Sequence, residues 1–184
     1  MEFMEYTEDY TNPEVAEIAA ELIDPTIKEL EKKHGDVDPE IYRNAVRAAV
    51  EAILTQTDGN LKGVRVLDLG CGSKPQLDPC CPGEHEPWLC RSLHLMGAHP
   101  IGVDLGNLKG EGFEAYQLDL MREDALHFIP DNSIDVIHNR ELVASPTFCR
   151  LYGYEGIDWL YQHLRPQMDR IFKESGIYII SDSM

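Results

Sequence analysis

The sequence predicts an α/β fold: a mostly parallel sheet of about five strands between layers of helix, preceded by N-terminal helices. Three observations predict it. Short aliphatic runs at 64–69, 101–104, 114–119, 133–139 and 177–180 are separated by helical or loop-like stretches, the alternation that builds βαβ units with right-handed crossovers. The first run is β-branched and aliphatic, as a strand covered on both faces is, and it leads into the glycine turn Gly70-Cys71-Gly72. Four of the runs close on a polar residue, Asp68, Asp104, Asp119 and Asn139, at the carboxyl rim where open α/β sheets receive ligands.

At 184 residues the chain suits one domain with a sizeable core. The expected organisation is an N-terminal helical extension, 1–60, packing on the sheet of a ligand-binding domain, 61–184. Apolar and charged fractions of 43% and 27% are ordinary for a globular protein. No apolar run reaches the ~20 residues of a membrane span, and Met1-Glu2-Phe3-Met4-Glu5 lacks the basic start of a signal peptide, so the cytoplasm is the expected compartment. A net charge of -17 disfavours nucleic acid, whose backbone calls for a basic patch. Five cysteines, an odd number, do not form a secreted disulfide framework and read as reduced thiols.

Taken in order, residues 1–11 are acidic with Tyr6 and Tyr10 and show no period. They read as a mobile arm, or as a lid over a ligand. Asn12-Pro13 is an N-cap and first helical position, with Glu14 in the first turn. Val15, Ile18, Ala19, Leu22, Ile23, Ile27 and Leu30 then keep one apolar stripe. Asp24-Pro25 predicts a kink or restart; Lys32, Lys33 and His34 suit a last turn that Gly35 ends. Asp38-Pro39-Glu40 opens a second helix, with Ile41/Tyr42, Ala45/Val46, Ala49/Val50 and Ile53/Leu54 recurring at every fourth residue until Asp58-Gly59.

Beyond the first strand, the proline-rich stretch 74–87 delays the next helix to about Trp88–Met96, closed by Gly97. Residues 121–128 read as a short helix and Pro130-Asp131-Asn132 as a turn. Residues 153–175 read as one or two helices broken or kinked at Pro166 and capped by Gly176.

The glycine turn admits several ligands. A dinucleotide site wants G-x-G-x-x-G, and here the third position is Pro75, which has no N–H to give. A P-loop needs Gly-Lys-Ser/Thr, which Ser73-Lys74-Pro75 does not supply. An acid two residues before Gly70 suits a cation better than a phosphate.

The phrase Val66-Leu67-Asp68-Leu69-Gly70-Cys71-Gly72-Ser73 resembles motif I of the class I, Rossmann-like S-adenosylmethionine-dependent methyltransferases, departing at Lys74, where many members carry a third glycine. Asp119-Leu120, Leu126, Ile129-Pro130 and Ser133-Ile134-Asp135-Val136-Ile137-His138 are similar to the family's motifs II and III, so the resemblance spans about residues 62–182. It implies a three-layer sheet that binds S-adenosylmethionine. Asp104, with Leu105 beside it, would accept from the ribose diol, and Asp119, with Leu120, from the adenine amine. Gly70, Cys71 and Gly72 would meet the methionine moiety by backbone, Asp68 would favour its ammonium group, and Asn139 would hold the same end.

The function implied is adenosylmethionine-dependent methyl transfer to an unidentified acceptor. The alternative is a non-catalytic adenosylmethionine-binding module that regulates or scaffolds a partner. His138 and Glu141 lie at the right rim for a base, but neither is assigned, and ordinary burial habits favour His138 as a packed residue. Cys80, Cys81 and Cys90 with His85 lack the C-x₂₋₄-C spacing of a structural zinc site, so no metal is expected; this insertion beside the cofactor turn could instead face a partner or acceptor. The family's usual antiparallel C-terminal hairpin is missing after Ile177-Tyr178-Ile179-Ile180. That fifth strand would present an apolar edge open to self-association.

Overall fold

The computed structural model describes residues 3–5, 13–34, 39–73, 86–139 and 142–180. Its centre is a parallel sheet formed by β1 (Phe3–Glu5), β2 (Arg65–Leu69), β3 (His99–Asp104), β4 (Glu114–Gln117), β5 (Ile134–Asn139) and β6 (Phe172–Ile180), in the order β1-β6-β5-β2-β3-β4. The helices are α1 (Pro13–His34), α2 (Pro39–Gln56), α3 (Trp88–Leu95), α4 (Pro146–Tyr152) and α5 (Glu155–Ile171). This is a Rossmann-like α/β fold. The strand order reverses at β2, between β3 and β5, and such a reversal opens a crevice at the carboxyl ends of the strands.

Strand alternation sorts side chains into two cores. Val66, Val136 and Ile179 pack under α1, α2 and α3 with Ile23, Ile27, Ile53, Leu54 and Leu93. Leu67, Leu69, Ile137 and Tyr178 face α4, α5 and the segment after β4, against Phe148, Leu160, Leu164, Met168 and Ile171. The N-terminal helices thus share one core with α3 and the sheet.

Several elements differ from the sequence expectation. Residues 3–5 of the predicted arm form β1, which pairs with β6 (Phe3 opposite Tyr178, Glu5 opposite Ile180) and so takes up that strand's outer edge. Pro100 lies inside β3 because its missing N–H faces the side where β4 pairing begins only at Ile101. Pro25 and Pro166 interrupt neither α1 nor α5. Both prolines are exposed, on the side of a helix where water can serve a carbonyl that loses its donor. Helix α4 was not foreseen, although Ser145, which accepts from the Phe148 N–H at 3.1 Å, and Pro146 are an N-cap and first-turn pair.

The helix expected at 121–128 is a chain of turns, with N–H to C=O bonds from Arg122 to Asp119, Ala125 to Arg122, His127 to Asp124 and Ile129 to Leu126. Side chains of α5 supply further partners. Gln167 Oε1 accepts from the Leu126 N–H at 2.8 Å, and Arg170 donates to the carbonyls of Leu126 and Ile129. Gly176 does not cap α5, which ends at Ile171 where Phe172 turns extended. Between the pairs Ile134–Phe172 and Val136–Ile177 the register shifts, and Gly176 sits in that bulge, where a Cβ would come within 2.9 Å of the Phe172 ring. No helix among the described residues is long and apolar enough to cross a membrane.

Helix α3 is tied to the loop after β3 by a buried ion cluster. Arg91 donates to Glu111 at 2.8 and 2.5 Å and to Glu86 at 2.6 Å, with its guanidinium 4.6 Å from the centre of the Trp88 ring. Burial opposes the charge on Arg91, but Glu111 and Glu86 outweigh it and raise the pKa. Arg91→Leu leaves two carboxylates without their cation and is expected to cost about 3 kcal/mol of stability, read from denaturant midpoints. Removing residues 1–5 uncovers the β6 edge; sedimentation is expected to show association that rises with concentration in the shortened chain and not in the full one.

Candidate functional site at the carboxyl rim of the sheet

The loop after β2 is seated on the end of β3. The N–H groups of Gly70 and Cys71 donate to the Val103 carbonyl at 2.8 and 3.1 Å, and the Gly72 N–H donates to Asp104 Oδ2 at 3.0 Å. Gly70 has φ +73°, and a Cβ there would stand 2.8 Å from Leu142 Cδ1, so only glycine fits. These three amides are therefore committed inside the protein, and the Gly72 carbonyl accepts from Cys71 Sγ at 3.3 Å. A phosphate at this turn would need free N–H groups, and these three are not free.

Asp104 is held from two sides. Its Oδ2 accepts from Gly72 and its Oδ1 from the Gly106 N–H at 2.7 Å. A carboxylate oxygen can accept twice, so each keeps one acceptor position. Leu105 follows; its carbonyl accepts from Gln117 Nε2 at 3.3 Å. Buried Ser73 lies against Gly106 so closely that a Cβ on residue 106 would stand 1.8 Å from Ser73 Oγ. The loops after β2 and β3 are therefore one interlocked unit.

Asp119 lies two residues past the end of β4, brought to the rim by the Leu118 N–H donating to the Asp104 carbonyl at 2.9 Å. Its Oδ1 accepts from the Met121 N–H at 2.9 Å and its Oδ2 from the Tyr152 hydroxyl at 2.9 Å. Burial first, and then the bond to Asp119, push the Tyr152 pKa up to about 12, so this hydroxyl remains a donor at neutral pH. Leu120 beside it is buried in the α4/α5 core. Asn139, at the tip of β5 and paired with Leu69, is 1% exposed, and its Oδ1 has no hydrogen-bond partner among the described residues. An orphaned buried acceptor costs about 1–3 kcal/mol, which a donor on a ligand would recover.

Asp68, expected to favour a ligand's ammonium group, is instead 3% exposed with both oxygens engaged inside the protein. Oδ1 bonds His138 Nδ1 at 2.8 Å, and Oδ2 accepts from Cys90 Sγ at 3.5 Å. Alternation puts Asp68 and His138 on the α3 face, below the rim. His138, 2% exposed, is the packed strand residue that burial habits favour. Cys71 and Cys90 pack with Leu108 and Phe113 against Gly102. At Cys71 the contact with Cys90 lowers the pKa, but burial and nearby acids outweigh it; at Cys90 burial leads. Both thiols are raised and protonated, and buried thiols of this kind are inert packing groups. Among the described residues no cluster of His, Cys, Asp or Glu could hold a metal ion. Lys74, Pro75, Cys80, Cys81, His85 and Glu141 lie outside the described residues.

The rim thus gathers Gly70, Cys71, Gly72, Asp104, Leu105, Asp119, Leu120 and Asn139 at the ends of four neighbouring strands. Sequence reasoning missed Ser73, Gly106 and Tyr152. For Tyr152 the Ser145-Pro146 cap was the available sign.

No protein-family model matches the chain, and a search of curated proteins finds no relative. Among solved structures, a SAM-dependent methyltransferase from Archaeoglobus fulgidus is similar with a TM-score of 0.38 and 23% identity, over 84% of this chain and 57% of that one.

Gly106→Ala is expected to unseat both loops, at a cost of about 1–3 kcal/mol by overpacking. Adding Ser73→Gly should restore most of the loss. Equal midpoints for the single and double variants in thermal unfolding would show that the two residues do not compete for space.

Proposed function

We propose that this chain binds S-adenosylmethionine at the carboxyl rim of β2, β3, β4 and β5 and transfers its methyl group to an acceptor. The observation that carries the reading is the commitment of the Gly70, Cys71 and Gly72 amides to Val103 and Asp104. It takes three N–H donors away from any phosphate and sets the turn beside anchored carboxylates. A ligand that fits is cationic near the turn, carries a vicinal diol for Asp104 and offers an amine to Asp119. Asn139 Oδ1 supplies one more acceptor, suited to an ammonium group. The motif wording read in the sequence agrees.

Bound there, adenosylmethionine supplies a methyl group already activated on a sulfonium. The residues of the chain then have to bind and align. Asp104 takes the two hydroxyls on the lone pairs left by Gly72 and Gly106. Asp119 and the backbone at Leu120 receive the base, with Leu105 alongside. The turn carbonyls and Asn139 hold the amino-acid end. Asp68 acts from below, tying β2 to β5 through His138 and to α3 through Cys90. No general base is needed unless the acceptor must lose a proton.

A binding module without turnover is the second reading, favoured by the burial of His138 on Asp68, which keeps that imidazole away from the rim. The two readings part on product: both bind adenosylmethionine, and only the enzyme converts it to S-adenosylhomocysteine in the presence of an acceptor. Calorimetry is expected to show binding of adenosylmethionine and its demethylated product and none of NAD. Asp104→Ala, losing two hydrogen bonds to a charged acceptor, should weaken binding on the order of ten- to a hundredfold. Unchanged affinity in that variant would overturn the proposed site.

A further inference from the structure

We propose that Tyr152 is a positioning residue that, through Asp119, makes the site select a 6-amino purine over a 6-oxo purine. The inference rests on the adenosylmethionine reading and names a determinant within it. The two acids at the rim are anchored differently. Both Asp104 oxygens are held by backbone amides, Gly72 and Gly106. Asp119 has one backbone donor, Met121, two residues away, and one side-chain donor, the Tyr152 hydroxyl, from across the chain. Without that hydroxyl the carboxylate is held at Oδ1 alone, and its terminal torsion is a soft, broad one.

Tyr152 is itself firmly placed. Its ring packs on Phe148 with centroids 5.2 Å apart and planes at 55°. Its Cβ lies where a side chain on Gly156 would come within 2.6 Å. Ser145 caps the helix that carries it. A hydroxyl seated in this way fixes the carboxylate plane and leaves its remaining lone pairs in a defined direction. An ionised carboxylate only accepts. An exocyclic amine in that direction is bound, whereas a carbonyl oxygen meets lone pairs and leaves the acid unpaired. Sites built to receive an N–H reject analogues lacking it far more strongly than apolar pockets reject a size change.

The test measures calorimetric affinities of S-adenosylhomocysteine and its 6-oxo, inosine-bearing counterpart for the full chain and for Y152F, with far-UV circular dichroism confirming the fold. The wild-type chain is expected to prefer the 6-amino compound. Y152F is expected to lose about tenfold in affinity for it while binding of the 6-oxo compound changes little, so the preference shrinks. A merely structural role for Tyr152 would weaken both compounds together and leave the ratio unchanged; that result overturns the inference while the adenosylmethionine reading stands. Tighter binding of the 6-amino compound by Y152F would make the hydroxyl a competitor of the ligand, and would likewise overturn it. A wild-type chain that binds neither compound removes the adenosylmethionine reading itself. Should Y152F fail to fold, Y152M, which keeps an apolar body against Phe148 and also lacks the donor, takes its place under the same outcomes.

Discussion

The seating of the glycine turn on the end of β3 is the constraint from which the rim follows. Two amides share the Val103 carbonyl and the third reaches Asp104. Each bond adds only about 1 kcal/mol net, but breaking one leaves a buried group unpaired at about 1–3 kcal/mol. The turn therefore keeps its shape without a ligand. The same bonds turn the Gly70, Cys71 and Gly72 donors inward.

Charge is arranged in two tiers around that turn. Below the rim, ionisable groups are matched internally: Asp68 with His138 and Cys90, Arg91 with Glu86 and Glu111. At the rim, Asp104 and Asp119 are anchored by donors and still retain acceptor capacity. Anchoring without saturation is what preorganisation requires of a binding group, because a free carboxylate would lose rotational freedom on meeting its ligand. The lower tier keeps the strands in register so that the upper tier is aimed.

The strands and the turn were legible because their signals are local. Aliphatic runs, a polar residue closing four of them and paired glycines survive in any context. Where tertiary partners decide, the sequence was a poor guide. The stretch after Asp119 has helical composition, yet Gln167 and Arg170, some forty residues later, take its backbone groups and hold it in turns. Pro166 reads as a break, yet it lies on the exposed side of α5, where water can serve a carbonyl that loses its donor. Asp68 and Asp104 look alike as strand-end acids. Their depth differs: Asp104 ends its strand, whereas Asp68 is followed by Leu69 and shares the alternation of Val66 toward α3. Asp68 lies opposite Gly102, two residues short of Asp104, and that depth separates a rim acid from a buried one.

The parallel pairing of Phe3 with Tyr178 bears on how the molecule is made. On the ribosome, residues 3–5 emerge before either helical layer, but their partner strand is synthesised only after every other part of the sheet. Through most of translation β1 has nothing to join, while α1 and α2 already have local reasons to coil. Because contacts between such distant residues form late and slowly, docking of β1 is a closing event, made on a sheet whose central strands are already in place.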